Sequence, residues 1–451
     1  MIGTLFVYEN VRVSDDRLTI SFDYRVDTDE QTFALTETLK LPSPLKQSGT
    51  SDRILRALHL ALGISYYKTF IPPQIDHAYR MDASEATFWN DVFRNGLGEF
   101  LYKNQLSAGQ LARFEPQEGL VVPDGNEDID WQNAALLGIG GGKDSVVAGE
   151  LLKALEIPVT GFVLATGENR GQAQAVADVM GVEMLGVERR LDPQILDMNN
   201  VPGAYNGHVP ISLVFALVGC LVACNCQTKY VVVANEASAS IPHVEYEGST
   251  VNHQWSKSLE FEKSFQDFVH QNISKQLHYT SVIRPLTSIA VAKIFAHYTQ
   301  YFETFTSDNS LFKMKQETRE HPRWSPQSSK SLSSFILLAP WMSDEDLERT
   351  FGTDFLNKAE LRTLFLELLG RGEKPILDCV GTPDELRLSL SMLREQERFK
   401  ESALMQVALD EKIVLENTSG PLEAALSLSG DHALPTEVAE QVQSKLKEQL
   451  A

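Results

Sequence analysis

An apolar run from Ala134 to Ile139 passes straight into Gly140-Gly141-Gly142-Lys143-Asp144-Ser145, where the pattern changes to that of a helix beginning near Ser145. Three consecutive glycines reach backbone conformations closed to other residues and leave their N–H groups unshielded. A helix N-terminus adds the positive end of a dipole. The strand, turn and helix together therefore predict an anion cradle, with Lys143 and Ser145 as further donors. The Walker pattern fails because Asp144 stands where Ser or Thr should follow the lysine. The dinucleotide fingerprint, started at Gly138, fails because Lys143 replaces its third glycine. A third kind of phosphate loop is needed.

Around this loop the chain alternates strand and helix from Trp131 onward, with strands expected at Leu136, Gly161 to Ala165, Val182 to Val187, Tyr230 to Ala234 and near Val282. That order predicts an α/β fold built on a parallel sheet covered on both faces, with ligands beyond the carboxyl ends of the strands. Candidate site segments follow such runs: Thr166-Gly167-Glu168-Asn169, Asn235-Glu236-Ala237-Ser238 and Thr306-Ser307-Asp308-Asn309. Before the core, Thr4 to Tyr8 and Leu18 to Tyr24 alternate as strands of an antiparallel meander. A helix is expected from Ser51 as N-cap and another from about Ser84 to Tyr102. The expected units are an α+β N-terminal domain over 1–128, closed by the turn-rich Pro123 to Asp128, a nucleotide-binding catalytic domain over 129–310, a helical region over 311–410 and a tail over 411–451. Only Glu437 to Leu450 of that tail suggests a helix.

Charge narrows the partners. With 40 Lys and Arg against 61 Asp and Glu, a formal charge of −21, the chain lacks the basic excess that neutralises a nucleic-acid backbone, so no nucleic-acid partner is expected. Four cysteines in this length, with no charged-then-apolar leader after Met1, predict a cytoplasmic protein. Val209 to Cys226 is uncharged over eighteen residues, but Pro210, Ser212, Asn225 and its three cysteines dilute it. A buried helix of an α/β sheet is expected there, not a membrane span. Cys220, Cys224 and Cys226 read as small buried hydrophobes and not as a zinc site.

The string Gly-Gly-Gly-Lys-Asp-Ser resembles the S-G-G-x-D-S signature of the PP-loop ATP pyrophosphatases, with Gly140 in the usual Ser position. The resemblance implies ATP as cofactor, split between its α and β phosphates, and Mg2+ held in part by Asp144. Further strings sharpen it: Asn206 to Pro210, Asn235 to Ser240, Val251 to Glu262, Arg284-Pro285-Leu286 and Cys379 to Pro383. Over roughly residues 131 to 385 these resemble the UDP-N-acetylmuramoyl-L-alanyl-L-glutamate epimerases, a branch of that superfamily. The implied activity is ATP-dependent inversion of the terminal L-glutamate of a UDP-muramoyl dipeptide, a small-molecule substrate of peptidoglycan synthesis.

On this reading Gly140, Gly141, Gly142, Lys143, Asp144, Ser145, Thr166 and Arg284 bind the nucleotide, with Asp144 and Glu236 as metal ligands. His208, His253, Glu236 and Cys379 are candidates for proton transfer, since imidazole, carboxylate and thiol all titrate within reach of neutral pH. Structural donors, dipole capping or plain burial account for the same residues without chemistry. Lys257 and Lys293 are candidates to neutralise the substrate's anionic groups, and Asn206, Ser238, Ser240 and Asn252 to hydrogen-bond it. Ser325, Ser328 and Ser331 stand where cysteines are expected in relatives, so packing of Phe335 to Leu338 must hold that region without a structural metal. Other PP-loop ligases or amidotransferases, and a nucleotide-binding module without turnover, are the alternatives. The oligomeric state is not legible.

Overall fold

The computed structural model describes residues 1–117, 129–165, 171–308, 323–373 and 375–451. The expected closing turn Pro123 to Asp128, the segment Thr166 to Asn169 and Asn309 lie outside them. The strands are β1 (Gly3–Val13), β2 (Thr19–Thr28), β3 (Thr32–Lys40), β4 (Ile75–His77), β5 (Gln132–Gly138), β6 (Val159–Ala165), β7 (Met184–Arg190), β8 (Thr228–Val233), β9 (Val244–Tyr246), β10 (Ser249–Val251) and β11 (His278–Ser281). Among the described residues, nine form one sheet in the order β11-β8-β5-β6-β7-β3-β2-β1-β4, and β9 and β10 form a separate hairpin. The five strands from β11 to β7 are parallel. The meander β1-β2-β3 is antiparallel and joins the parallel part through β3 and β7, with Leu39 opposite Arg189.

Each strand of the parallel part is buried on both sides, as its apolar composition requires. In β5, Ala135 and Leu137 pack with the helices Lys143–Ala154 and Ser288–Phe295, whereas Leu136 faces the opposite layer, where Gly49–Tyr67 packs on Ile211–Cys226. The uncharged run is thus a largely interior helix, although Cys226 at its end is exposed and not buried as expected, and no helix among the described residues is long and apolar enough to cross a membrane. Each of its fully buried Leu and Val side chains contributes about 1.5–3 kcal/mol.

Two local expectations are corrected. The helix expected from Ser51 starts a turn earlier, because Ser48 is its cap. Ser48 Oγ accepts from Ser51 N–H, and Ser51 Oγ accepts from Ser48 N–H, a reciprocal box that puts Ser51 inside the first turn. The helix expected from Ser84 to Tyr102 is two, Ala83–Gly96 and Gly98–Asn104. Glycines on both sides of Leu97 weaken the helix there, and a Cβ on Gly96 would come within 2.9 Å of Pro210. Strand β3 completes the meander expected of the first forty-odd residues, the helix Ser419–Leu426 was not legible in the sequence, and the apolar run before Thr306 contains only a short 3₁₀ turn, Thr299–Tyr301.

A buried ion pair sits where meander meets parallel sheet. Arg189 of β7 donates to Glu37 of β3 and to Ser65 Oγ at 3.1 Å, with the two side chains 7% and 0% exposed. Removing one partner strands the other charge in the core. Arg189→Leu should therefore cost about 3–5 kcal/mol in urea unfolding, while Arg189→Met combined with Glu37→Leu should recover most of it; equal losses in the single and double variants would contradict this. His59, 1% exposed, bonds Tyr79 Oη at 2.6 Å and Asp23 O at 3.0 Å. Burial pushes its pKa down from 6.5 to about 4. The unfolded chain therefore takes up this proton first as pH falls, so the contribution is full above 6.5 and is lost down to about 4. Its share is about 2 kcal/mol between pH 7.5 and 5, and His59→Gln should flatten the stability profile in that window.

Candidate active site

A cavity of about 290 Å³ opens beyond the carboxyl ends of β5, β6 and β8. The strand order reverses between β5 and β8, the switch point at which open α/β sheets bind ligands. Its floor is the glycine turn. Gly141 has φ +94°, and a Cβ there would lie 3.1 Å from Gln172, so only glycine fits. Gly142 is the N-cap of Lys143–Ala154 and offers no side chain to the first N–H groups, which stay available to an anion. Thr306 N–H donates to Gly141 O at 2.9 Å and brings Thr306 and Ser307 against the loop.

Three ammonium groups line this cavity: Lys143, Lys257 and Lys330. Lys143 Nζ donates to Asp144 Oδ1 at 2.6 Å. Burial opposes its charge, but Asp144 and Glu236 outweigh it and hold the ammonium above its ordinary range. Lys257 is held up in the same way, against burial, by Cys379, Glu236 and Asp144, and its Nζ donates to Cys379 Sγ at 3.7 Å. Lys330 lies 3.5 Å from Asp378 Oδ1. Glu236 follows β8 and accepts from Ser288 Oγ at 3.1 Å. Burial and then the charge of Asp144 raise its pKa.

The structure thus gathers Gly140, Gly142, Lys143, Asp144, Ser145, Glu236, Lys257 and Cys379 around one space, with Gly141 shaping the turn. Thr166 lies outside the described residues. Arg284 does not reach the cavity: it is 1% exposed, its guanidinium is paired with Glu262 and it donates to Glu236 O and Lys257 O at 2.8 Å each. It supports the wall of the cavity through these bonds. Lys293 is also elsewhere, bonded to Leu450 O and lying over the Trp341 ring. Ser238 Oγ donates to Glu385 at 2.8 Å, Ser240 Oγ accepts from Leu259 N–H at 3.0 Å and Asn252 Nδ2 donates to Ala239 O at 2.9 Å, so all three already serve the loops. Asn206 Oδ1 accepts from Lys68 Nζ at 3.2 Å.

His208 and His253 come together away from this lining, on Glu99 of the helix Gly98–Asn104, with ring centroids 5.2 Å apart. Burial lowers the pKa of His208 to about 4, so its ring is neutral at pH 7. Burial of Glu99 is outweighed by His253 and Lys103, which hold its carboxyl at about 2.

Sequence reading missed Lys330, Glu99 and Glu385. Lys330 lies inside the stretch singled out for its serines. Glu385 caps Pro383–Glu395 and also accepts from Ser288 N–H at 2.7 Å, tying the C-terminal helices to the cavity rim. The serines find another partner: Ser325 N–H and Ser331 Oγ donate to buried Asp308 at 2.8 and 3.1 Å, and Phe335 to Leu338 are buried beside them.

Comparison with known proteins matches residues 2–282 to the MurL N-terminal domain and 304–420 to the MurL C-terminal domain. A protein of Xanthomonas oryzae pv. oryzae, named UDP-N-acetyl-alpha-D-muramoyl-L-alanyl-L-glutamate epimerase, is 32% identical over 426 residues, 91% of each chain. Proteins of the same name are 31% identical in Salinispora tropica, over 93% of this chain and 91% of that one, and 30% identical in a Micromonospora species, over 92% of each. Matches of this extent, running through both halves of the sheet and the helices that close the cavity, show that the chain is an epimerase belonging to the MurL family.

Proposed function

We propose that this chain inverts the terminal L-glutamate of UDP-N-acetylmuramoyl-L-alanyl-L-glutamate to D-glutamate for peptidoglycan synthesis, consuming ATP with Mg2+ and releasing AMP and diphosphate. The observation that carries the reading is the single cavity that joins a glycine-turn anion cradle, three lysines and the Lys257–Cys379 contact. We assign the turn to the PP-loop class. The residues fit the nucleotide and its ion: the buried hydroxyls of Ser212 and Ser307 line the cavity without a hydrogen-bond partner among the described residues. Asp144 adds a carboxylate of the kind that holds Mg2+, and the raised pKa of Glu236 beside it suits that residue to carrying a proton.

The chemistry explains why an epimerase would consume ATP. A free α-carboxylate resists loss of the neighbouring proton, because a second negative charge would build up beside the first. ATP supplies the adenylyl group that cancels it: a carboxylate oxygen attacks the α-phosphorus and pyrophosphate leaves. Lys143, Lys257 and Lys330 stabilise the charge on the departing group. Cys379, whose sulfur accepts from Lys257 Nζ, takes the α-proton, and Glu236, with its raised pKa, returns one on the other face. Water then cleaves the acyl phosphate and frees the D-product and AMP. Arg284 holds Glu236 and Lys257 in place through their carbonyls.

Incubation with ATP, Mg2+ and the dipeptide nucleotide in deuterated water should give pyrophosphate together with D-glutamate carrying α-deuterium. Pyrophosphate without inversion would indicate a ligase and sink the proposal. Cys379→Ser should slow α-deuterium uptake by roughly 10²–10⁴ while pyrophosphate release continues. Asp144→Asn should abolish pyrophosphate release. A Cys379→Ser variant exchanging at the wild-type rate would remove the thiol from the mechanism.

A further inference from the structure

Three segments far apart in sequence deliver Glu99, His208 and His253 to one point, where one ligand atom from each lies within 4.8 Å of the others. Both histidines approach the same oxygen, Glu99 Oε2, through Nδ1. Lys103 occupies Oε1, so the carboxylate presents a single free oxygen to the two rings. All three side chains are largely buried, at 4%, 14% and 12% exposure.

The arrangement around His208 is incomplete as a hydrogen-bonded cluster. Its Nδ1 stands 3.7 Å from Glu99 Oε2, beyond hydrogen-bond range, and its ring makes no hydrogen bond to the described residues. A tetrahedral metal ion bound at ~2.0–2.1 Å to imidazole and ~2.0–2.2 Å to carboxylate separates those two atoms by roughly 3.3–3.5 Å. The 3.7 Å to His208 lies just beyond that, so a small closure would bring it in. His253, in direct contact with the same oxygen, would have to open to a similar distance. Two imidazoles and one carboxylate suit a transition ion and not magnesium, which prefers an all-oxygen shell.

We propose that Glu99, His208 and His253 bind one divalent transition-metal ion of the zinc type, separate from the nucleotide cavity. The ion would tie the helix Gly98–Asn104 to the loop before the helix Ile211–Cys226, which carries His208, and to the loop after β10, which carries His253. Lys103 and Lys257 add positive charge nearby and limit affinity. Lys103 is half exposed and free to turn to solvent.

The test uses the full chain freed of metal by chelation and titrated with Co2+ in excess Mg2+. One equivalent should bind with visible d–d bands, be displaced by Zn2+ and remain after Cys379→Ser. Glu99→Gln and His208→Asn should each weaken binding at least tenfold, and Lys103→Ala should tighten it several-fold. Circular dichroism of the variants checks that they fold, and Lys103→Ala, which removes no ligand, decides the matter if they do not. No Co2+ uptake, uptake abolished by Cys379→Ser, or an affinity unmoved by Lys103→Ala and the ligand variants would overturn the proposal. Because the readout is metal binding, it is independent of whether the ATP-dependent reaction is correct.

Discussion

The ion pair between Arg284 and Glu262 is the interaction on which the site depends. Both side chains are 1% exposed, with Nε and Nη2 of Arg284 at 2.9 and 2.7 Å from Glu262 Oε2. Two charges taken this far from water are costly, and the cost is offset only if the remaining donors and acceptors are satisfied. Here they are. Glu262 Oε1 accepts from Ser281 N–H at 2.9 Å, while Arg284 spends further N–H groups on the carbonyls of Glu236 and Lys257. One buried guanidinium thereby fixes the end of β11, the turn after β8 and the 3₁₀ turn Trp255–Lys257. A lysine would keep the charge but not the fork that reaches three elements.

Everything else in the site is arranged on that frame. β5 ends at Gly138 and hands the chain to the glycine turn, and β8 hands it to Glu236. The C-terminal helices close the cavity from the other side, bringing Lys330 and Cys379 and fastening their rim through Glu385. The resulting space is rich in fixed positive charge, yet two carboxylates stand within it. That combination suits a ligand that is polyanionic and arrives with a cation.

How much of this was legible depended on the range of the interaction. The strand and glycine turn from Ala134 to Gly142 declare themselves locally, and so does the apolar helix Ile211–Cys226, because backbone freedom and uniform burial are written residue by residue. The role of Ser48 was missed because Ser48 and Ser51 both suit a cap, and only the reciprocal bonds decide between them. The pairing of β3 with β7 joins residues more than a hundred positions apart and leaves no periodic signal, so the N-terminal meander looked separable from a sheet that it extends. Arg284 carried the right charge for phosphate, but nothing in its neighbourhood disclosed Glu262 as its partner across a helix. His208 and His253 were singled out individually, whereas their meeting on Glu99 is a product of the fold.

The central claim is that the glycine turn, the three lysines and the two carboxylates form one nucleotide site. A crystal structure with Mg2+ and an ATP analogue bridged by methylene between the α and β phosphates tests it most directly. The account predicts phosphates against the N–H groups of Gly140 to Ser145, contacts from Lys143 and Lys257, and the ion on Asp144. A nucleotide bound outside this cavity, or one whose phosphates point away from the turn, would contradict it.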